Sequence, residues 1–158
     1  MESNFEKAKT FNNAFGNKIY DEVQKDIFKD DPKTVDKCLS LVKEEVKELE
    51  EAVQNHDMVE TADALGDILV VVYGMGAHFG LDLDKIYDQI HKSNMSKICK
   101  SKKEAEETVE SYKKDDRYDT PAYKKAPIDD LYVVYNESTG KILKSINYKP
   151  VDLKWVNE

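Results

Sequence analysis

A run of glutamates in LVKEEVKELEEAV, residues 41–53, is the part of this chain best suited to chemistry. On a helix, with about 100° between successive residues, Glu45 and Glu48 lie roughly 60° apart on the flank of an apolar stripe. Glu44 lies further round, close to Glu48. We therefore expect Glu45 and Glu48 to enter a shallow site between helices, with Glu44 at its rim. The other glutamates of the segment are expected in solvent: Glu50 and Glu51.

A second group of carboxylates opens the next apolar segment, in ETADALGD at residues 60–67. Glu60, Asp63 and Asp67 are spaced by three and four positions, which places them on one helix face. Asp67 directly precedes the most apolar run of the chain, where burying an unpaired carboxylate would be costly. Carboxylates from two facing helices, without Cys or His, suit a hard cation, Mg²⁺ first and Mn²⁺ second. The candidate metal ligands are Glu45, Glu48, Asp63, Asp67 and Glu60.

Some of these acids also have a purely structural explanation, whereas Asp63 and Asp67, on a nearly buried helix, are harder to explain in that way. Asp57 and Glu60 have the spacing of a capping box, in which Glu60 only caps its helix. Glu44 and Lys47 have the spacing of a surface ion pair. The histidines lack the Glu-x-x-His spacing of a di-iron bundle, and His78 is better explained as a core histidine with its hydrogen bonds satisfied.

Four predicted helices position these acids. The first covers residues 4–15 and ends at Gly16, and the second starts at the N-cap Asp31 and ends near residue 54. The third runs from about Asp57 to residue 80, and the fourth follows the N-cap Asp82. Residues 18–29 are expected to be a short helix or an irregular turn. Four apolar residues of the first helix have helical spacing: Phe5, Ala8, Phe11 and Phe15. Of these, Phe15 is expected in the core.

The second and third helices carry the strongest apolar patterns. The stripe of the second helix is spaced alternately by four and three residues: Val35, Leu39, Val42, Val46, Leu49 and Val53. The third helix is apolar almost all round in ILVVVYGMGAHF, so we expect it to be the central helix. Four helices of this length cannot bury such a run alone. We therefore predict a homodimer, or a dimer of dimers, with the site near the subunit interface.

The chain changes character after residue 98. Residues 1–98 hold 12 Lys against 20 Asp and Glu, whereas residues 99–158 hold 12 Lys and Arg against 12 acids. The acid excess argues against nucleic acid as a partner. We predict a helical catalytic core over 1–98 and a C-terminal extension over 99–158. The extension is expected to contain a charged helix, an irregular stretch and a β-hairpin near 131–148, with Gly140 in its turn.

The cysteines and the apolar runs bear on location. Cys38 and Cys99 make no disulfide framework, which favours a reducing, cytoplasmic environment. No apolar run reaches the roughly 20 residues of a membrane span, and the N-terminus lacks the apolar region of a signal peptide. No membrane partner is therefore expected.

Four segments follow one another between residues 5 and 98: FNNAFG, EEVKELEEA, DALGDILVVVYG and HKSNMSK. They are similar to the F-H-x-A-F-G, E-E-x-x-E, D-A-L-x-D-I-x-Y-V-x-Y-G and H-[RK]-S-N-M-x-K motifs of one branch of the MazG-like all-α nucleoside triphosphate pyrophosphohydrolases. The later segment GKILKSINYKPVDL resembles a C-terminal extension that some members carry. The resemblance implies an all-α fold, a four-helix bundle of MazG-like type with an extension that contains a short β-hairpin.

The resemblance also implies roles for the first group of acids. Glu45 and Glu48 match the first pair of metal ligands in the family. Glu44 matches an extra acid that is either a ligand or a base for water. Glu44 or Glu45 would then orient or deprotonate the attacking water, and Mg²⁺ would be the cofactor.

The second group departs from the family motif. Asp67 matches the aspartate of the family's E-x-x-D element, but the glutamate of that element would fall at Ala64. Asp63 or Glu60 must then complete the site, and the sequence leaves both open. The histidine of F-H-x-A-F-G is likewise replaced, here by Asn12.

The implied reaction converts a nucleoside triphosphate and water to the monophosphate and pyrophosphate, in nucleotide-pool housecleaning. Lys92, Asn94 and Lys97 in HKSNMSK would hold phosphate or sugar oxygens, although lysines there also simply complement a helix C-terminus. Phe11 is placed to stack a base, with Asn12 beside it, although Phe11 is equally explained as a core residue.

Two other functions stay open. The first is phosphoribosyl-ATP pyrophosphohydrolase, a related hydrolase of histidine synthesis. For the nucleotide-pool enzyme, by contrast, the resemblance to dimeric dUTPases favours substrates such as dUTP or dCTP. The alternative from another class is a non-catalytic helical module whose acids dock a basic partner. It predicts no tight Mg²⁺ site.

Overall fold

The computed structural model describes residues 1–158 and divides into two compact units. We call Met1–Ile86 together with Leu153–Glu158 the helical unit, and Tyr87–Asp152 the mixed unit. The division falls between Ile86 and Tyr87, inside a helix, whereas the sequence suggested a division after residue 98.

Six helices and three strands make up the two units. The helices are α1 (Asn4–Ala14), α2 (Ile27–Asp30), α3 (Pro32–Gln54), α4 (Met58–Phe79), α5 (Leu83–Met95) and α6 (Lys102–Tyr112). The strands are β1 (Pro121–Lys125), β2 (Tyr132–Asn136) and β3 (Lys141–Leu143), and a short 3-10 helix covers Lys154–Asn157. The chain is mostly helical with a small antiparallel sheet, as predicted. The four-helix bundle stays a prediction, because α5 is divided between the units.

Helix α4 is the most apolar helix of the chain. No single helix is both long and apolar enough to cross a bilayer. Helices α4 and α5 together reach the required length and apolar composition, but they are bent by 110° at the break between them.

Helix α1 buries only the first half of the stripe that its spacing predicts. Its N-cap is Ser3, whose hydroxyl accepts a hydrogen bond from the Glu6 N–H group. The residues it buries are Phe5, Ala8 and Asn12. Phe15 is 72% exposed, so the expectation that it lies in the core is wrong. The reason is local: the helix ends at Ala14, and the chain turns away at Gly16 with a left-handed φ of 72°.

Helices α3 and α4 form the main packing pair of the helical unit. Asp31 caps α3 by accepting a hydrogen bond from the Thr34 N–H group, and Pro32 occupies the first helical position. Asp57 caps α4 in the same way. The short connection after Gln54 makes the two helices antiparallel neighbours. Helix α4 also packs against α1, so it lies between α1 and α3, as expected for the central helix.

Much of the apolar surface of α3 and α4 is left uncovered. The half-buried members of the α3 stripe are Val35, Val42 and Leu49. The exposed members recur every seven residues: Leu39, Val46 and Val53. The exposed apolar residues in the middle of α4 are Leu65, Leu69, Val70 and Val72. The chain therefore does not enclose the apolar run of α4 by itself.

The segment 17–26 crosses the C-terminal end of α4. The Tyr20 N–H group donates to the Ala77 carbonyl, and the Gln24 N–H group donates to the Phe79 carbonyl. Gly80 ends α4 with a left-handed φ of 67°, and a Cβ there would lie 1.9 Å from the carbonyl oxygen of Glu22. Only glycine fits this crossing.

In the mixed unit, α6 packs on a three-stranded antiparallel sheet of order β1-β2-β3. The core residues are Cys99, Ala105, Val109, Val134 and Leu143. The predicted hairpin is confirmed as β2 and β3, with Gly140 in the turn at φ 70°. Strand β1 lies in the stretch expected to be irregular. That expectation is wrong, because Pro121 starts an edge strand, where a proline is tolerated.

Candidate active site

Glu45, near the middle of α3, has the least satisfied surroundings of any carboxylate in the chain. Its Oε2 atom is buried and has no hydrogen-bond partner. Burial raises the pKa of the Glu45 carboxyl, and the charges of four acids raise it further: Glu48, Asp67, Glu44 and Asp63. A buried carboxylate without a partner is costly, and a cation beside it would remove that cost.

The acids that act on Glu45 come from both helices, as the sequence predicts. Glu44 and Glu48 lie on α3, and Asp63 and Asp67 lie on α4. All four are exposed. The sequence led us to expect that Asp67 is buried, where an unpaired carboxylate is costly. That expectation is wrong, because Asp67 is exposed. The apolar run that follows Asp67 is itself partly uncovered, and the carboxylate with a buried oxygen is that of the half-buried Glu45.

Glu60 is not among the acids that raise the pKa of Glu45. It lies in the first turn of α4, where its N–H group donates to the Asp57 carboxylate at 3.1 Å. The N–H group of Asp57 donates to the Ala52 carbonyl instead of to Glu60. Asp57 is thus a simple N-cap, the reciprocal bond of a capping box is absent, and Asp63 is the better candidate to complete the site.

The acids do not form a finished coordination sphere. No three Asp, Glu, His or Cys side chains converge closely enough to hold a metal ion as they stand. Glu48, Asp63 and Asp67 are exposed, so packing does not fix their rotamers. A buried carboxylate oxygen without a donor, surrounded by four more carboxylates, nevertheless fits a hard divalent cation.

Two clefts adjoin these acids. The first, of about 270 Å³, lies between α1, α3 and α4. It contains Leu41, one turn before Glu45 on α3, and Val71, one turn after Asp67 on α4. Its polar lining residues are Asn12, Asn17, Lys18, Thr34, Lys37 and His78. The first cleft therefore opens beside the acids and has no carboxylate in its own lining.

The second cleft, of about 550 Å³, lies between α1 and α4 and contains Asp67 itself. Phe11 lines both clefts and is 49% exposed, so it is not a core residue. Its ring contacts that of Phe15, with 4.6 Å between the ring centroids. Phe11 is thus placed between the two clefts with part of its ring free.

Asn12 lines the first cleft, but its side chain is already engaged. The Asn12 amide donates to the Ala8 carbonyl at 2.9 Å, and its oxygen accepts from the Asn17 amide at 3.0 Å. A Cβ at Gly74 would lie 3.3 Å from the Asn12 nitrogen, so α4 packs closely there. Asn12 therefore positions Asn17 at the cleft wall.

Sequence reasoning missed Asn17, Thr34 and Lys37 as lining residues of the first cleft. Lys37 precedes Glu44 by seven residues, two turns along the same face of α3, and this spacing was a usable signal. The Nδ1 atom of His78 has a hydrogen-bond partner in the Lys18 carbonyl, as predicted, but His78 is a half-buried residue of the cleft lining and not a core residue. No signal identified Asn17, because it lies in an irregular segment.

The predicted phosphate-binding residues lie in the mixed unit, at the end of α5 and just beyond it. Lys92 pairs with Asp88 one turn earlier at 2.6 Å. The Lys97 ammonium donates to the Asn94 side-chain oxygen at 2.8 Å. All three side chains thus have local contacts of the kind that a helix C-terminus also explains.

Comparison with known proteins identifies the family of this chain. Residues 8–94 match the profile of the phosphoribosyl-ATP pyrophosphohydrolase family, which is more than half of the chain. The chain is also 29% identical to an uncharacterized protein of Acanthamoeba polyphaga mimivirus, with 93% of this chain and 92% of that protein aligned. The matched segment includes the clefts' main walls and every acid around Glu45. The chain thus belongs to the phosphoribosyl-ATP pyrophosphohydrolase family, within the MazG-like all-α superfamily, and is a pyrophosphohydrolase that acts on phosphoric anhydrides.

Proposed function

We propose that this enzyme is a Mg²⁺-dependent pyrophosphohydrolase that converts a nucleoside or deoxynucleoside triphosphate and water to the monophosphate and pyrophosphate. The observation that carries the proposal is the buried Glu45 oxygen without a partner, among four further acids. A triphosphate brings about four negative charges to this acidic site, and its approach becomes favourable only when cations lie between.

The donor set supports Mg²⁺ first and Mn²⁺ second, because all of its atoms are carboxylate oxygens. Glu45, Glu48, Asp63 and Asp67 would hold the cation. When bound, it would neutralise phosphate charge and polarise the phosphorus that water attacks. Mg²⁺ also relieves the unfavourable burial of Glu45, so binding is expected to stabilise the helical unit.

Glu44 is the better placed of the two candidate bases. It is exposed beside Glu45, so its carboxylate can meet water while Glu45 faces the cation. In the proposed step, the water oxygen bonds to phosphorus as the anhydride bond between the α and β phosphates breaks. Glu44 accepts a proton from the water, and the released pyrophosphate takes the electron pair of the broken bond.

The first cleft is the proposed nucleoside site. It has apolar walls from Phe11, Leu41 and Val70, and polar groups from Asn17 and Thr34. Pockets of this kind bind small molecules by apolar contact and orient them with a few polar groups. Its position one turn from Glu45 and Asp67 would direct the phosphates of a bound nucleotide toward the acids.

The uncovered apolar surface supports the proposed homodimer or dimer of dimers. Val59, Leu65 and Leu69 on α4 are each at least half exposed. Large exposed apolar patches are typical of protein interfaces. A second copy of this chain would cover the run that α1 and α3 leave open.

Release of pyrophosphate from a panel of NTPs and dNTPs with Mg²⁺ is the test of this function. We expect hydrolysis by the wild-type enzyme and its loss in Glu48→Ala and in Asp67→Ala. Glu50→Ala is the matched control, since Glu50 is an exposed glutamate of the same helix that does not act on Glu45. Hydrolysis of no nucleotide, or full activity of Glu48→Ala, would overturn the proposal.

The same panel separates the alternatives. Phosphoribosyl-ATP, the substrate in the family's description, is included alongside dUTP and dCTP. Preference for phosphoribosyl-ATP would assign the enzyme to histidine synthesis, and preference for deoxynucleotides would favour pool housecleaning. A non-catalytic docking module would release no pyrophosphate from any of them.

A further inference from the structure

A pocket of about 570 Å³ in the mixed unit is lined by three lysines: Lys92, Lys100 and Lys149. We call it the lysine pocket. Lys92 is its only lining residue within the segment that matches the family, because the match ends at residue 94. Half of its eight lining residues belong to the C-terminal extension, and Lys92 alone has an expected role in holding the substrate of the proposed function.

The charge of the lysine pocket is opposite to that of the protein. The formal net charge of the chain is −8, whereas the pocket has three lysines and a single carboxylate, Glu104. Both oxygens of Glu104 are engaged: one accepts from the Ser145 hydroxyl, and the other accepts from the Lys100 N–H group at 3.1 Å. Lys92 pairs with Asp88, but both side chains are exposed, and such pairs exchange easily. Glu104 and Asp88 thus leave two negative charges against the three lysines, and the pocket has a net positive charge of one.

The backbone of Lys149 is held on both sides by serines of α5 and the turn after it. The Lys149 N–H group donates to the Ser96 hydroxyl at 2.9 Å, and the Lys149 carbonyl accepts from the Ser93 hydroxyl at 2.9 Å. Ser93 is buried. These serines belong to HKSNMSK, so part of that motif fixes the position of a lysine far along the chain.

The loop and turn that lead from β3 to Lys149 are fixed in the same way. The Ser145 N–H group donates to the Lys97 carbonyl at 3.0 Å, and the Ile146 N–H group donates to the Thr108 hydroxyl at 3.2 Å. The three lysines thus start from α5, the linker before α6 and this segment, each fixed by hydrogen bonds. A site whose backbone is already ordered loses less entropy when a ligand binds.

The residues of the pocket indicate the kind of ligand. Lysines bind phosphate oxygens as point charges, and three of them suit an anion with several charges rather than a single carboxylate. A volume of about 570 Å³ accommodates more than one phosphate group. Met95 and Ile98 add an apolar side to the pocket. We propose that the lysine pocket binds a polyphosphate anion, and that it does so without a divalent metal.

Isothermal titration of the full-length protein with inorganic pyrophosphate in EDTA tests this proposal. Without divalent cations the acids around Glu45 repel phosphate, so binding reports on the lysine pocket. We expect saturable binding that weakens with added salt. The double variant Lys100→Gln with Lys149→Gln should bind at least tenfold more weakly. Its thermal melt should match the wild type, because the hydrogen bonds of Lys149 in the pocket come from its backbone.

Two control variants separate this proposal from the proposed function. Lys103→Gln removes a lysine of α6 that pairs with Glu107 outside the pocket, and it should bind pyrophosphate normally. Glu48→Ala should also bind normally in EDTA, even if it hydrolyses nothing. Absence of saturable binding by the wild type, or equal binding by the double variant, would overturn the proposal.

A second titration identifies the source of the phosphates. A nucleoside diphosphate that binds more tightly than pyrophosphate, and does so only with Met95 and Ile98 intact, would identify a nucleotide as the ligand. Equal affinities would identify the phosphates alone. Both results support a polyphosphate site.

Discussion

The two units of this protein differ in how well their charges are balanced and in how completely their buried polar side chains are hydrogen-bonded. The helical unit holds 11 Lys against 20 acids, whereas the mixed unit holds 13 Lys and Arg against 12 acids. The helical unit contains the one buried side-chain polar atom without a partner, Oε2 of Glu45. In the mixed unit, the buried polar side chains of Thr108, Asn136 and Ser145 all make hydrogen bonds.

This difference separates a unit with unsatisfied groups from a unit whose buried polar groups are satisfied. Uncompensated charge and uncovered apolar surface lower stability, and proteins retain such features chiefly at functional sites. Satisfied buried networks instead make a region rigid. The helical unit therefore has the features on which the proposed cation site and dimer rest, and the mixed unit is the more rigid unit on which the proposed lysine pocket is built.

The largest expected effect is that of Glu45→Gln. We expect the rate of pyrophosphate release to fall by at least about 100-fold, because the central carboxylate of the site is lost. The same variant should melt a few degrees higher than the wild type in EDTA, since a neutral amide replaces a buried charge. Thermal melts and a pyrophosphate assay measure both.

The higher melting temperature expected of Glu45→Gln depends on pH, because burial raises the pKa of the Glu45 carboxyl. The ionised form is the one that burial disfavours, so wild-type stability falls as pH rises through the raised pKa. The advantage of Glu45→Gln should therefore shrink as the pH falls through the raised pKa, and it should be lost below about 4.5, the ordinary value for glutamate. A variant that melts lower than the wild type at neutral pH in EDTA would contradict this comparison.

The apolar surface of α4 gives the next largest effect. Leu69 is 51% exposed in the single chain. If a second copy covers it, Leu69→Asp buries a charge in the interface and should convert the dimer to monomers. Ile142→Asp is the matched control, because Ile142 is similarly exposed on β3 of the mixed unit. Multi-angle light scattering distinguishes the outcomes, and a wild-type monomer would refute the predicted assembly.

A substitution at Asn136 tests the satisfied network of the mixed unit. Its side-chain oxygen accepts from the Thr120 N–H group at 3.0 Å, and its amide donates to Asp119 at 3.0 Å. Asn136→Ala should lower the free energy of unfolding by about 2 kcal/mol, because buried partners are left unpaired. Urea unfolding measures the change. The exposed neighbour Glu137→Ala should change it little, and equal effects would show that the network contributes nothing.

Asp119 gives a smaller effect that depends on pH. Hydrogen bonds from Ser138 and Asn136 lower the pKa of its carboxyl to about 2 from an ordinary 3.8. The ionised form is favoured in the folded state, so its contribution is present above pH 3.8 and is lost as the pH falls toward 2. Asp119→Asn should be less stable than the wild type at neutral pH. The difference should narrow in urea unfolding at low pH, and a constant difference would contradict the assignment.

The smallest effect is expected at the surface pair of Lys47 and Glu51, whose nitrogen and oxygen lie 3.5 Å apart. Both side chains are exposed, so Lys47→Ala should change the free energy of unfolding by less than about 0.5 kcal/mol. Urea unfolding in low and high salt measures it. A larger loss of unfolding free energy would mean that charge balance on α3 contributes more to stability than an exposed ion pair usually does.

Local signals account for the elements that were predicted well. The apolar spacing and caps of α3 and α4 set those helices, and a turn with Gly140 set the hairpin of β2 and β3. Strand β1 was missed because it depends on pairing with β2, which the sequence of residues 121–125 does not encode locally. Phe15 was misassigned because helical spacing continues past the point where α1 ends.

The site was predictable in its residue types and less so in its details. Spacing identified Glu45, Glu48 and Asp67 as acids of facing helices. It placed the burial at Asp67, whereas the structure places it at Glu45, because the coverage of α4 depends on which helices pack on it. Asn17 and the lysine pocket were not visible, since each joins residues from separate segments.

The sequence alone determined the helical periods, the two groups of carboxylates and the family to which they belong. These follow from the order of residue types along a single helix or turn, where neighbours are set by spacing. Only the tertiary structure decided that one oxygen of Glu45 is buried, that Asn12 holds Asn17 at the cleft, and that Ser93 and Ser96 hold Lys149. Burial and hydrogen bonding at these positions arise from contacts between distant segments, which no local pattern specifies.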